Sequence, residues 1–400
     1  LNKTNYSSIK IIHLFDDEKF VDSAIDIFET VYPNRSKYYV FTDHKDKQLQ
    51  YVKSKQVIPF FLIEKEDYLE ISERLNTAAS NIIILHALNV RKQEIVNLLN
   101  ENKVKVWLLW GYDLYNNWKP FKHQVYEKQT YNFVFKNYSF TSKFLNWFFY
   151  RKNAYQLFKN SKKIYKTNFY DVVQKLDIVA PVLPSEMDKI KMLNKNIIYA
   201  PFAYGTIESL LGNLIDKSAI GNNNILVGNS ASPTNNHLEV FEKLSKLNIG
   251  QRKVIVPLSY GNNGDYLELI LKRGKDLFGD NFHPITDYLP LNEYNDLILS
   301  CGYTIFNHKR QQAVANIITM GYFGAKIFFN SKSDAYHYFK SKGMHVYDLK
   351  ELSNSSLKTI LTENELLQNQ NVLKSLYSDQ AVKLKVEQLL EIINQVNKDK

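Results

Sequence analysis

The sequence predicts an α/β protein made of two doubly wound, Rossmann-like domains in tandem, facing a cleft. Two observations carry that prediction. Short apolar runs alternate with amphipathic segments of helical period, the pattern of parallel strands covered by helices on both faces. The alternation stops over a turn-rich stretch, residues 205–224, and then restarts.

In order, "IKIIHLF" (9–15) reads as a buried strand and "EKFVDSAIDIFETVYP" (18–33) as a helix ended by Pro33. "KYYVFTD" (37–43), "QVIPFFLI" (56–63), "NIIILHAL" (81–88) and "VKVWLLWG" (104–111) read as further strands. "LDIVAPVLPSEMDKIKML" (176–193) gives strand, turn and helix, and "NIIYAPF" (196–202) another strand. These place a first Rossmann-like domain at 1–204, the one to which the resemblance given below assigns acceptor binding, and an inter-domain connection at 205–224. From 225, strands "NILVGNS", "RKVIVPLSY", "GYTIFNH" and "AKIFFN" alternate with helices, giving a second domain over 225–379. "FHPITDYLP" is a strand or a loop, and residues 380–400 an amphipathic helix.

Composition sets the outer bounds. A hydrophobic fraction of 44% supports sizeable cores and excludes a disordered chain. The single cysteine, Cys301, allows no disulfide within the chain and fits a reducing compartment. No basic-then-apolar leader precedes the first strand, so no signal peptide is expected. The longest apolar runs, 81–90 and 104–112, fall short of the roughly 18 residues of a membrane span. The net charge of +10 sits in the first half, where 30 Lys/Arg face 21 Asp/Glu; residues 201–400 carry 21 against 20. That asymmetry points to a basic face in the first domain.

Three strand ends in the second half are rich in hydrogen-bonding residues. "ILVGNSASPTNNH" (225–237) runs from a strand through Gly228, Asn229 and Ser230 to Asn235, Asn236 and His237 at a helix start. A helix start presents unpaired N–H groups and partial positive charge, a seat for phosphate. The same spacing also suits an ordinary turn that Asn235 caps. "VPLSYGNNGDY" (256–266) ends a strand on Ser259, Tyr260, Asn262 and Asn263. "NHKRQQAVAN" (307–316) brings Arg310, suited to a diphosphate, and Gln311 and Gln312, suited to sugar hydroxyls.

In the first half, "WLLWGYDLYNNW" (107–118) sets Asp113 among aromatic residues. Aromatic faces pack on sugar rings, and a carboxylate there would bind hydroxyls or accept a proton; a helix cap is the alternative. His13 closes the first strand with Asp16 and Asp17 beyond it, and His86 reads as a hydrogen-bonded core residue. The stretch 140–166 has seven Lys/Arg, no acid, and Trp147, Phe148, Phe149 and Tyr150. It suits an interfacial helix on anionic lipid, a helix packed on the sheet with a solvated lysine face, or single-stranded nucleic acid.

"WGYDLY" (110–115), "ILVGNSASPTNNH", "VPLSYGNNGDY" and "RQQAVAN" (310–316) occur here in the order and spacing that resemble the TDP-N-acetylfucosamine:lipid II N-acetylfucosaminyltransferases. These are the 4-acetamido-4,6-dideoxygalactose transferases of glycosyltransferase family 56. "IIHLFDD" (11–17) is similar to that family's first strand, and the resemblance spans roughly residues 9–350. It implies a metal-independent GT-B glycosyltransferase with no cofactor beyond its nucleotide-sugar co-substrate, a dTDP-sugar. The acceptor it implies is a polyprenyl-diphosphate-linked glycan. It also implies a last helix crossing back to the first domain, and Tyr288 and Leu289 against the nucleobase. Gly228, Asn229, Ser230, His237, Tyr260 and Arg310 are then candidates for the leaving diphosphate, with Asn236, Asn262, Gln311 and Gln312 alongside. Asp113, His13 and Asp17 are candidates for the base. The stereochemical outcome stays open.

The expectation is a cytoplasmic enzyme held peripherally at the inner face of the membrane through 140–166, with no nucleic-acid partner. The alternatives are a UDP-sugar transferase with another acceptor, or a non-catalytic lipid- or glycan-binding subunit.

Overall fold

The computed structural model describes residues 10–117, 119–136, 169–261 and 264–400. The basic aromatic stretch 140–166 and Asn262 lie outside the described residues. The chain divides into two compact units. The first comprises the described residues of Leu1–Lys119, Ser161–Gly205 and Asp379–Lys400; the second comprises those of Pro120–Asn160 and Thr206–Ser378.

The first unit holds a seven-stranded parallel sheet: β1 (Ile11–Asp16), β2 (Ser36–Thr42), β3 (Val57–Phe61), β4 (Ile82–His86), β5 (Val104–Leu109), β6 (Ile178–Pro181) and β7 (Ile198–Tyr199). The spatial order is β3-β2-β1-β4-β5-β6-β7, so the winding reverses between β1 and β4. β4 and β5 are buried at every position, as a sheet covered on both faces requires. The helix Val21–Val31 lays Val21, Ala24, Ile25 and Phe28 on it. The helix Asp379–Asp399 closes the same core with Val386, Leu389, Leu390 and Ile393.

The second unit repeats the design with β8 (Asn224–Val227), β9 (Val254–Pro257), β10 (Phe282–Ile285), β11 (Cys301–Phe306), β12 (Lys326–Phe329) and β13 (Tyr347–Asp348), all parallel. Its order is β10-β9-β8-β11-β12-β13, and the winding reverses between β8 and β11. Residues 120–136 belong here because Phe133 packs on this core, 5.7 Å from the Tyr266 ring, and Thr130 donates to Glu239 at 2.7 Å. Among the described residues no helix is long and apolar enough to cross a membrane.

The pairing of β8 with β11 shifts register between Cys301 and Tyr303. Gly302 sits in that shift, where a Cβ would lie 1.9 Å from the Asn222 carbonyl oxygen. Because backbone gives little, Gly302→Ala is expected to destabilise the second unit by about 1–3 kcal/mol in urea denaturation; an unchanged midpoint would show that the bulge relaxes freely.

Candidate functional site

In open parallel sheets the crevice for ligands opens at the carboxyl ends of the strands where winding reverses. In the second unit that point lies between β8 and β11. β8 is followed at once by Gly228 at φ 68°, a conformation that favours glycine. A Cβ there would fall 2.6 Å from Asn235 Oδ1 and 3.0 Å from His237 Nε2. Both the turn and the packing beneath it therefore demand glycine.

The loop after Gly228 is held by one side chain, Asn235. Its Oδ1 accepts the Asn229 N–H at 3.0 Å and contacts His308 Nε2 at 2.7 Å. Its Nδ2 donates to Ser230 O at 2.9 Å, Ser230 Oγ at 3.0 Å and Ser232 O at 3.0 Å. Asn236, left-handed at φ 52°, donates to Val125 O and Asn307 O and accepts the Glu127 N–H at 2.7 Å. Asn330, just past β12, joins Asn307 Oδ1 at 2.8 Å and Glu127 Oε1 at 2.9 Å. Lys309 is buried, donates to Tyr126 O and pairs with Glu127 at 3.0 Å.

A second chain of bonds reaches the surface. Thr234 donates to Gln312 Oε1 at 2.7 Å, Gln312 donates to Asn229 Oδ1 at 2.8 Å, and Asn229 donates to Tyr260 Oη at 2.7 Å. Tyr260 is exposed and Arg310 half-buried, with Nη1 on Gln311 O at 2.8 Å. Tyr288 is 63% exposed on the loop between β10 and the helix Leu291–Leu299. A buried polar network thus carries an aromatic and a guanidinium at the edge, the composition that binds a base or a sugar and a diphosphate.

Several predicted residues turn out to be struts of this network. Gln312 has both ends of its amide engaged inside, so it is not offered to a sugar hydroxyl. Gln311 is buried at 5% exposure. Ser230 and Asn236 are likewise buried and bonded to the loop. His237 is fully buried beneath Gly228, with its backbone N–H and Nδ1 each 3.3 Å from Tyr266 Oη. Burial lowers its imidazole to about 3, so it stays neutral.

The three base candidates are also internal or engaged. Asp113 has no exposed surface and accepts from Leu88 N (2.8 Å), Trp107 Nε1 (2.7 Å) and Trp110 N (3.1 Å). Burial raises its pKa against those donors. It pins the β5 exit to the β4 exit. His13 does not close β1 but sits at its middle, bonded to His86 Nε2 at 3.0 Å and Ser36 Oγ at 3.2 Å. Asp17 accepts the backbone N–H groups of Gln50, Tyr51 (3.0 Å) and Val52 (3.1 Å) and so shapes the loop after β2. Sequence reading missed His308, Asn307 and Asn330 as site builders. All three follow apolar strand runs directly, which is the signal that was available.

Residues 185–372 match the model of the family described as 4-alpha-L-fucosyltransferase glycosyl transferase group 56. That stretch is similar to the group 56 glycosyltransferases, and the chain is a glycosyltransferase. Solved structures agree on the fold. HepE from Anabaena, in complex with UDP and glucose, superposes with TM-score 0.60 at 10% identity, covering 96% of this chain and 100% of that one. The α,α-trehalose 6-phosphate synthase of Burkholderia multivorans gives 0.60 at 6% identity over 98% of each chain. The sucrose-phosphate synthase of Thermosynechococcus elongatus gives 0.60 at 9% identity over 97% and 100%. The architecture is GT-B.

Among the described residues no group of three His, Cys, Asp or Glu side chains could hold a metal ion.

The neutral histidines have a consequence for stability. His308, like His237, is held well below its ordinary 6.5, first by burial and then by the charge of Arg310. Unfolding frees both to take protons below pH 6.5, so stability is full above 6.5 and falls as pH drops toward 3. Each histidine that stays neutral contributes a slope of about 1.4 kcal/mol per pH unit. Urea denaturation at pH 7.5 and 5.5 is expected to show the loss, with a shallower slope in His308→Asn; equal stability at both pH values would contradict the burial argument.

Proposed function

We propose that the chain moves an N-acetylated amino-deoxy sugar, N-acetylfucosamine-like, from a dTDP-sugar to a polyprenyl-diphosphate-linked glycan. The reaction would serve surface polysaccharide assembly at the inner face of the cell membrane. The observation that carries the reading is the β8/β11 edge of the second unit. There Arg310, Tyr260 and the Gly228 turn are braced by a buried polar network. HepE, which shares the fold, was solved with UDP and with UDP-glucose, which supports a nucleotide-sugar as the donor class.

In the transfer, the acceptor oxygen bonds to the anomeric carbon while the bond from that carbon to the diphosphate breaks. The electron pair leaves with the nucleoside diphosphate, and the acceptor hydroxyl's proton passes to the departing diphosphate or to solvent. Charge grows on the diphosphate oxygens, and Arg310 supplies a planar, permanently charged donor pair for them. The Gly228 turn lets backbone approach the ligand without a side chain between. Because Arg310 is anchored by the Gln311 carbonyl and Thr234 Oγ1, its charge is positioned before the ligand arrives. Tyr288 offers an exposed ring for the nucleobase.

Calorimetric titration of dTDP and UDP into the full chain tests the donor. Micromolar dTDP binding with weaker UDP is expected, and Arg310→Ala should weaken it at least several-fold. A preference for UDP would replace the donor, and no binding of either would overturn the site. The sequence of 140–166 supports the membrane partner. Replacing Trp147 and Phe148 with Ser should release the protein from anionic liposomes, and undiminished binding would remove that partner.

A further inference from the structure

The loops at the carboxyl edge of the second sheet are poor in acids. Those that follow β8, β9, β11 and β12, residues 228–236, 258–264, 307–313 and 330–333, contain no Asp or Glu. They offer amides, hydroxyls, Lys309, Arg310 and Lys332 instead. Asp287 follows β10, the outermost strand and two positions from β8, and Asp334 opens the helix Asp334–Ser341 beyond β12. Such loops suit phosphate but supply no charged acceptor, and each hydroxyl or amide N–H of a sugar brings a proton that needs an acceptor.

A carboxylate reaches this edge from elsewhere in the chain. Glu127 is the N-cap of the helix Lys128–Val134, yet its side chain makes no bond to that helix. An N-cap residue ordinarily spends its side chain on the first free N–H groups. Glu127 is spent on the sheet edge. Its backbone N–H donates to Asn236 Oδ1 at 2.7 Å, in the loop after β8. Its Oε1 accepts from Lys309 Nζ at 3.0 Å, after β11, and from Asn330 Nδ2 at 2.9 Å, after β12. One residue is thus tied to the exits of three adjacent strands, β8, β11 and β12.

Both side-chain bonds fall on the same oxygen. No described residue donates to Oε2, and the Glu127 side chain keeps 27% exposure while that of Lys309 beside it keeps 4%. Lys309 and Asn330 therefore fix one oxygen and leave the other with its lone pairs open. A carboxylate repels phosphate, so the open oxygen does not serve the diphosphate. It has no proton to give, so a ligand there must bring an O–H or an N–H.

We propose that Glu127 Oε2 accepts a hydrogen bond from a hydroxyl or amide N–H on the sugar ring of the donor. Resting on the transferase reading, this makes residues 120–136 part of the donor site and divides the labour along the edge: Arg310 meets the diphosphate and Glu127 reads the sugar. A fixed acceptor discriminates against a ligand that lacks the matching O–H or N–H, because the acceptor is then left unpaired.

Calorimetric titration into the full chain compares a nucleoside diphosphate with its glucose and galactose conjugates, in both dTDP and UDP forms. For the nucleotide that binds, at least one conjugate should bind at least about threefold tighter than the diphosphate, the size of one net hydrogen bond. Glu127→Gln should erase that margin and leave diphosphate affinity within about twofold of the wild type. Glu127→Asp, which keeps the charge but withdraws it by one carbon, should erase the margin too. Thr130→Val cuts a bond to Glu239 that fastens the same segment and leaves the Glu127 carboxylate in place, so it should keep the margin. Diphosphate and conjugate affinities that fall together in Glu127→Gln and in Thr130→Val would show a strut and overturn the proposal. A margin that survives both Glu127 variants, or conjugates that bind no tighter than the diphosphate in the wild type, would overturn it while sparing the diphosphate site. Binding of neither dTDP nor UDP would overturn the donor reading and this proposal with it.

Discussion

The second unit depends on the carboxamide of Asn235. One oxygen ties the backbone of the β8 exit to His308 at the β11 exit, and one nitrogen closes the loop between them. The two strands flank the reversal of winding, so this side chain spans the crevice that the topology opens. Buried amides satisfied at every position define a single geometry, and removing one leaves several groups stranded in low dielectric. Gly228 follows from it, because the carboxamide occupies the space a Cβ would need.

The alternation of strands and helices was legible because fully buried strands leave continuous apolar runs, as in "IIILH" and "VKVWLL". Short edge strands were harder: β7 keeps two residues of the seven expected, and β13 carries no run of its own. The stretch 120–136 was not legible as part of the second unit, since its attachment rests on Phe133, Thr130 and Lys309 meeting across long sequence separations.

At the site, the sequence showed where donors cluster but not which of their lone pairs the fold uses itself. Gln312 and Arg310 look equivalent as neighbours in "KRQQ". Only the structure separates a strut bonded at both ends from a half-buried guanidinium. Likewise His13, Asp113 and Asp17 have the right chemistry for a base, yet each is held by groups far away in sequence.

The first unit is assembled from three separate stretches of chain, the last being the helix Asp379–Asp399, whose Leu389 and Leu390 close its core. The second unit apart from 120–136 lies on one unbroken stretch, Thr206–Ser378. Domains tend to fold as units as they leave the ribosome. Synthesis therefore inverts the usual order: the half of the protein translated first waits, with an uncovered sheet, until the later half has already folded. During that interval the apolar face that Leu389 and Leu390 cover stays exposed.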